Sequence, residues 1–219
     1  MTVPKYTRRI LLCLLLSLTG SVSVSAQTPD EKREQQLKLP EIFEAIRISV
    51  GSQVADVGAG SGFITSRMAR RIGPAGRVYA VDIDEKYAIP RLKDFVNKES
   101  LTNVDVIHSE PADPKLPEGK LDAVLMVITY HEVEPYQELL GHVKAALKPG
   151  GRFVVVDMMP RKTRARPRGD QTKNHVIAPE IAEAEFRAAG FEIIARKDDF
   201  MDRPDEEEVR WMIICRRPQ

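Results

Sequence analysis

The residues best suited to chemistry form two groups, and the first is a glycine-rich turn. Its sequence is Val54-Ala55-Asp56-Val57-Gly58-Ala59-Gly60-Ser61-Gly62. An apolar run reaches an acid, and three alternating glycines then allow a tight turn and close approach of backbone N–H groups to a ligand. Residues 63–69 have a helical pattern, so the positive end of that helix would face the same ligand. The pattern predicts a ligand site, and a turn with a purely structural role is the alternative.

A second apolar run ends in another acid and extends this site. The run Val78–Val81 leads to Asp82, at a distance along the chain where an acid accepts hydrogen bonds from two ribose hydroxyls. Asp84 lies close by, and capping of the next helix is the alternative role for it. A dinucleotide fingerprint needs its third glycine where this chain has Phe63, so an NAD-dependent enzyme is disfavoured.

The second group is Thr129-Tyr130-His131-Glu132, which follows another apolar run. An imidazole beside a carboxylate can deprotonate or orient a substrate. Helix capping and ordering of the pocket are the alternatives for His131. His175 is a weaker candidate for the same cleft. The four histidines have no regular ligand spacing, so the sequence predicts no metal site.

Strand-like and helical segments alternate along the chain. We predict strands at 53–57, 78–82, 104–107, 123–127, 153–157, 191–195 and 211–215, and helices near 41–48, 62–71, 85–98, 133–147 and 179–189. Strands that are apolar almost throughout indicate a mainly parallel α/β sheet with helices on both faces. Ligands bind beyond the carboxyl ends of such strands, where both groups lie.

An acid followed by Gly-x-Gly-x-Gly, here Asp56 and Gly58 to Gly62, resembles motif I of the class I S-adenosylmethionine (SAM) methyltransferases. Leu147-Lys148-Pro149-Gly150-Gly151 and Ala188-Ala189-Gly190-Phe191 are similar to segments of the ubiquinone-biosynthesis type. Tyr130-His131-Glu132 resembles a triplet found in a subgroup of bacterial methyltransferases. The resemblance runs from about residue 40 to the C-terminus. It implies SAM as cofactor and a Rossmann-like sheet of seven strands, mostly parallel, with an antiparallel last strand.

The resemblance also implies the roles of individual residues. The predicted cofactor-binding residues are Asp56, Gly58, Ala59, Gly60, Gly62, Asp82, Ile83, Glu110 and Asp113. One of the two acids after the third strand would contact the adenine amine, and the choice between them stays open. The predicted catalytic residues at the acceptor edge are His131, Tyr130 and Glu132. The expected acceptor is a small molecule or a lipid-like compound. A SAM-binding module without turnover and a phospholipid amine N-methyltransferase are the alternatives.

Length and charge set the remaining expectations. A chain of 219 residues suits one α/β domain. Its net charge of +1 gives no case for a nucleic-acid partner. The basic run 161–168 is interpreted either as a solvated loop or as a lid. A basic lid would favour an anionic acceptor or peripheral contact with an anionic membrane.

The first 26 residues differ in character from the rest. Basic residues precede the apolar stretch Ile10–Leu18, and small residues lead to Ala26, which is the pattern of a cleaved signal peptide. We therefore expect an exported protein, periplasmic or extracellular, with an uncleaved membrane anchor as the alternative. Residues 27–38 are predicted as a polar linker or frayed helix, and 39–219 as the methyltransferase domain. Cys215 lies in an apolar strand, which indicates an inert buried thiol.

Overall fold

The computed structural model describes residues 27–161, 165–203 and 207–219. The predicted signal peptide lies outside these residues, as do positions 162–164 of the basic run. The strands are β1 (Gln53–Val57), β2 (Arg77–Asp82), β3 (Val104–His108), β4 (Leu121–Val127), β5 (Leu147–Pro160), β6 (Glu192–Met201) and β7 (Glu208–Arg216). The helices are α1 (Pro29–Gln36), α2 (Leu39–Ile46), α3 (Phe63–Ile72), α4 (Ala88–Lys98), α5 (Tyr136–Ala146), α6 (Arg168–Thr172) and α7 (Pro179–Ala188).

All seven strands form one sheet in the order β3-β2-β1-β4-β5-β7-β6. The pairs β1–β2, β1–β4, β2–β3 and β4–β5 are parallel. Strand β7 runs antiparallel to both β5 and β6. The predicted fold class is thereby confirmed. The strand order reverses between β1 and β4, and a crevice for ligands is expected beyond the carboxyl ends of these two strands.

Apolar side chains cover both faces of the sheet, as the nearly continuous apolar strands predict. One cluster packs α5 and α7 against the sheet through side chains such as Leu140 and Phe186. The opposite cluster packs α2 and α3 through Ile42 and Met68. Trp211 and Cys215 of β7 belong to the first cluster and are fully buried. Burial raises the pKa of the Cys215 thiol, which keeps it protonated and unreactive.

The N-terminal described segment is a capped helix. Thr28 and Glu31 form a capping box, in which each side chain accepts a hydrogen bond from the other residue's backbone N–H. Arg67 of α3 then holds α1 by ion pairs with Asp30 at 2.7 Å and Glu34 at 2.8 Å. Helix α1 therefore covers the start of α3. Of the described helices, none has the length and apolar character needed to span a membrane.

Two helices begin later than the sequence pattern suggests, and each has a local cause. Helix α4 begins at Ala88 because the Asp84 carboxylate accepts hydrogen bonds from the N–H groups of Lys86 and Tyr87, both at 3.0 Å. Those bonds form a separate turn ahead of the helix. Asp84 thus accepts backbone N–H groups much as a helix cap would, but one turn earlier. Helix α5 begins at Tyr136 because Pro135 restricts the residue before it to extended backbone.

Candidate active site

The glycine turn connects β1 to α3 at the predicted crevice. Its three glycines have positive φ angles, but their surroundings differ. A Cβ at Gly58 would lie 2.3 Å from Thr129 Oγ1, and one at Gly62 would lie 2.8 Å from Leu92 Cδ1. A Cβ at Gly60 would meet nothing within 4 Å. Gly58 and Gly62 therefore serve close packing of the chain, whereas Gly60 presents its backbone to open space.

Asp82 is tied directly to this turn. Its Oδ2 accepts a hydrogen bond from Gly60 N at 2.9 Å, and its Oδ1 accepts one from Asp84 N at 3.0 Å. The carboxylate is partly buried at the end of β2 and lines a cavity together with Ile83. Asp82 thus positions Gly60 as well as facing the space where a ligand would lie.

Asp56 lies beneath the same turn and is 2% exposed. Its Oδ2 accepts a 2.6 Å hydrogen bond from Thr65 Oγ1. Burial raises the pKa of Asp56 to about 6; the charge of Asp82 adds to this, and the bond from Thr65 opposes it. The Thr65 contact was not predictable from the sequence, because it depends on how the first turn of α3 packs.

Two cavities meet at Gly58 and Ile128, which line both of them. The first, of about 230 Å³, is also lined by Asp82, Ile83, Glu110, Thr129 and Glu132. The second, of about 220 Å³, is also lined by Arg33, Asp56, Ala59, Gly60 and Phe63. An elongated ligand crossing Gly58 would occupy both.

Ile128 separates the two cavities and has a φ of 53°. Positive φ is a genuine outlier for a β-branched residue, and its cost is about 1–3 kcal/mol. The Ile128 N–H donates to Val156 O at 2.7 Å, which holds the backbone in this conformation. Sequence reasoning missed this residue, since nothing in its type suggests a left-handed backbone.

The structure distinguishes the two acids considered for adenine contact. Glu110 lines the first cavity, and its Oε1 lies 3.1 Å from Lys115 Nζ. Asp113 does not appear among the residues lining either described cavity. Its Oδ1 instead accepts a hydrogen bond from Lys115 N at 2.8 Å. Glu110 is therefore the better placed of the two.

The residues of the Tyr-His-Glu triplet point in different directions from a single turn of 3-10 helix. Tyr130 enters the core, where its ring lies 4.9 Å from that of Phe186 and its hydroxyl donates to Glu185 Oε2 at 2.6 Å. Burial and the charge of Glu185 raise the pKa of Tyr130. Tyr130 lines neither described cavity, and its contacts are those of a packing residue. Its catalytic role stays a prediction.

His131 is 4% exposed and lies between two carboxylates. Its Nδ1 is 2.7 Å from Asp157 Oδ1, and its Nε2 is 3.1 Å from Glu132 Oε1. Burial disfavours the imidazolium, but the hydrogen bonds and charges of the two acids outweigh it and raise the pKa of His131. Asp157 at the end of β5 is fully buried and was missed, although it ends an apolar run just as Asp82 does.

Glu132 reaches from this buried pair to the wall of the first cavity. His175, from the loop between α6 and α7, places its Nδ1 2.5 Å from Glu132 Oε1. The hydrogen bond from His175 is the main cause that lowers the pKa of Glu132. The histidine weakly predicted for this cleft therefore does join the triplet, with a carboxylate between the two rings.

The two described ends of the basic run, Arg161 and Arg168, make fixed contacts, whereas Arg166 between them is exposed. Arg161 forms an ion pair with Asp202. Arg168 is 14% exposed at its side chain, donates to Val133 O at 2.7 Å and lies 4.4 Å from the centre of the Tyr136 ring. Its Nε is 2.9 Å from Oε1 of Glu185, a buried acid whose pKa is raised by burial. The positive charges of Arg161 and Arg168 are thus partly neutralised within the protein, and less charge is left to attract an anionic acceptor or membrane.

We expect Arg168→Gln to lower the free energy of unfolding by about 3 kcal/mol, because it leaves the Glu185 carboxylate buried without its cation. Urea denaturation would measure this loss. The matched control is Arg166→Gln, at an exposed position in the same run, which should change stability by less than about 0.5 kcal/mol. Equal stability of the two variants would support a solvated run.

Comparisons with known proteins show which family this site resembles. A family model described as "Methyltransferase domain" matches residues 54–151, which include the glycine turn, β2 and the Tyr-His-Glu triplet. This stretch of the chain is therefore similar to a methyltransferase domain. Its cofactor is SAM, in agreement with the motif I resemblance.

The curated relatives belong to quinone biosynthesis. The chain is 29% identical over 117 residues to the demethylmenaquinone methyltransferase of Listeria welshimeri, covering 53% of this chain and 49% of that protein. It is 23% identical over 164 residues to the ubiquinone/menaquinone biosynthesis C-methyltransferase UbiE of Erwinia tasmaniensis, covering 74% and 64%. The chain thus spans about half to two thirds of the length of these relatives.

A solved SAM-dependent methyltransferase from Aquifex aeolicus has the same fold. Its TM-score is 0.70 at 22% sequence identity, and the match covers 85% of this chain and 94% of that one. From the motif I resemblance we expect SAM to cross both cavities, with its ribose at Asp82 in the first and its methionine end near Asp56 in the second.

This orientation predicts a pH-dependent affinity for SAM. Asp56 in the free protein is protonated below about pH 6, whereas the cationic methionine end favours the carboxylate. Below that pH, binding of SAM therefore releases a proton. The affinity for SAM should fall by up to about tenfold for each unit by which the pH is lowered. Calorimetry between about pH 5 and 7 would measure it. In Asp56→Asn the affinity should be flat with pH; an equal slope in this variant would assign the effect to another group.

Proposed function

We propose that the protein transfers the SAM methyl group to a small-molecule acceptor with a quinol- or phenol-like oxygen-bearing ring. The observation that carries the proposal is that Glu132 lines the cavity that also holds Asp82. A ring hydroxyl must lose its proton when the ring carbon or the oxygen attacks the methyl group. A carboxylate at the acceptor edge can accept a hydrogen bond from that hydroxyl.

The pair behind Glu132 supports this role. His131 is held by Asp157 and contacts Glu132, so the carboxylate has a fixed direction toward the cavity. Methyl transfer needs little beyond alignment, since the sulfonium is already activated and positioning supplies much of the acceleration. The two relatives described above, a demethylmenaquinone methyltransferase and a ubiquinone/menaquinone biosynthesis C-methyltransferase, favour the same acceptor class.

The test is turnover with isotopically labelled SAM and a panel of demethylated quinols, phenols, phosphatidylethanolamine and small amines. Mass spectrometry would follow labelled product and S-adenosylhomocysteine together. We expect product from the oxygen-bearing rings only. Product from the lipid amine would instead identify a phospholipid amine N-methyltransferase. SAM binding without product from any acceptor would favour a binding module.

Glu132→Gln and Glu134→Gln form a matched pair for the acceptor role. Glu134 lies two residues further on, and its side chain is 80% exposed. Loss of turnover in the first variant alone, with unchanged SAM affinity, would support the proposed position of the acceptor. Equal turnover in both variants would remove Glu132 from the reaction.

We also propose that the mature protein is exported and begins at Gln27. Helix α1 starts at Pro29, so cleavage after Ala26 would leave its capping box intact. N-terminal sequencing of protein taken from its natural compartment would test this. An intact Met1 in the soluble cytoplasm would contradict export, and an intact Met1 in the membrane fraction would indicate an anchor.

A further inference from the structure

We propose that His131, Glu132 and His175 form a binding site for a divalent transition-metal ion of the zinc class. Three potential ligand atoms, His131 Nε2, Glu132 Oε1 and His175 Nδ1, lie within 4.8 Å of one another. Two imidazoles and one carboxylate are a common zinc ligand set when a further position stays open. The two histidines are far apart in sequence, which is why no regular ligand spacing revealed the cluster.

Asp157 supplies the contact that most supports a metal ligand. Ligating histidines usually direct their other ring N–H to a carboxylate, which fixes the tautomer and the orientation of the ring. Asp157 Oδ1 lies 2.7 Å from His131 Nδ1, and Asp157 Oδ2 accepts the backbone N–H of His131 at 3.0 Å. Asp157 is fully buried. The arrangement therefore leaves Nε2 of His131 directed toward Glu132 and available to a cation.

The two separations that involve Glu132 require only a small adjustment. Zinc–nitrogen bonds of 2.0–2.1 Å in a tetrahedron separate neighbouring ligand atoms by about 3.3 Å. The His131–Glu132 separation is already 3.1 Å. The His175–Glu132 separation is 2.5 Å and must widen by about 0.8 Å. The His175 side chain is 70% exposed on a loop, so its ring can move by that amount.

The backbone of His175 has an uncommon conformation. Its φ of 56° is left-handed, a conformation that is uncommon for a non-glycine residue and that clusters at functional sites. Two imidazole donors favour zinc and its neighbours over magnesium, which prefers oxygen ligands. The remaining coordination position would take an oxygen of the acceptor at the cavity wall, and this last step rests on the proposed function.

Calorimetry of chelator-treated protein, freed of any affinity tag, would test the site with zinc chloride. We expect one zinc ion per chain and at least about 100-fold weaker binding of magnesium. His175→Ala should weaken zinc binding at least about tenfold. The matched control is His142→Ala, a half-exposed histidine outside the cluster, which should leave the affinity unchanged. Cobalt substitution adds a spectroscopic readout, because tetrahedral cobalt absorbs strongly.

A second variant, Glu132→Gln, guards against a misfolded His175→Ala and should weaken zinc binding by a similar factor. Zinc bound equally by the wild type, His175→Ala and Glu132→Gln would overturn the site, as would the absence of stoichiometric binding. In that case the three groups form only a hydrogen-bonded cluster. Methyl transfer by a protein that binds no zinc in the titration would overturn the site and retain the proposed function. Zinc binding without transfer to any acceptor would retain the site alone.

Discussion

Replacing Gly60 by valine should abolish SAM binding and leave the fold intact. A side chain at Gly60 would enter the open space over which the cofactor passes, because nothing of the protein lies within 4 Å of a Cβ there. Loss of close approach along the turn should weaken binding by at least about 100-fold, or about 2.7 kcal/mol. Calorimetry would measure the affinity, and circular dichroism with thermal unfolding would report the fold.

Gly119→Val is the matched control for this change. Gly119 also has a positive φ, 62°, and open space around its Cβ. It precedes β4 and so lies at the opposite edge of the sheet from the cavities. Each variant should lose about 1–2 kcal/mol of stability from backbone strain, but only Gly60→Val should lose the cofactor. Loss of binding in both variants would assign the effect to strain, and normal binding by Gly60→Val would place the cofactor elsewhere.

The sheet was predictable because each strand carries its own signal. Runs such as Val78–Val81 are apolar throughout, and a strand buried on both faces has few alternatives. The limits of the elements were less predictable, since they depend on single contacts. Strand β5 begins at Leu147, where a first pairing with Leu121 precedes a shift of register before Arg152 pairs with Ala123. Strands β6 and β7 extend beyond their apolar centres because they pair with each other.

The meeting of the glycine turn with the two strand-end acids at one crevice was also predictable, because its signal is local. Asp56, Gly60 and Asp82 follow directly from strand ends and turn chemistry. The acceptor side was not predictable to the same degree. Tyr130 and His131 are adjacent in sequence, yet the 3-10 turn sends the first into the core and directs the second toward Glu132. Only tertiary packing could show this, and it equally governs which distant groups reach the triplet.

Asp157 and Arg168 show two different limits of prediction from the sequence. Asp157 ends the apolar run Val154–Val156 and could have been found by the rule applied to Asp82, since the carboxyl ends of the parallel strands lie on the same side of the sheet. Arg168 could not have been found. Its basic neighbours indicate a solvated segment, but α6 turns it onto Glu185 and Tyr136. The charge of an arginine does not reveal whether a buried acid of another helix will pair with it.

Asp82→Ala should weaken SAM binding by about 1.5–3 kcal/mol, the range for hydrogen bonds to a charged group, or about 10- to 150-fold. Two effects contribute. The ribose hydroxyls lose their acceptor, and Gly60 N loses the bond that holds the turn in position. Calorimetry with SAM and with S-adenosylhomocysteine should give similar losses for both, because the ribose is common to them and the sulfonium charge is not.

Asp84→Ala separates these effects from general loosening of the loop. The Asp84 carboxylate also accepts two backbone N–H groups at 3.0 Å, but it does not belong to the residues that line the described cavities. Its replacement should lower stability while changing SAM affinity by less than about threefold. If Asp84→Ala weakens binding as much as Asp82→Ala does, the order of the loop matters and the ribose contact does not. If neither variant alters the dissociation constant, the ribose lies away from the end of β2.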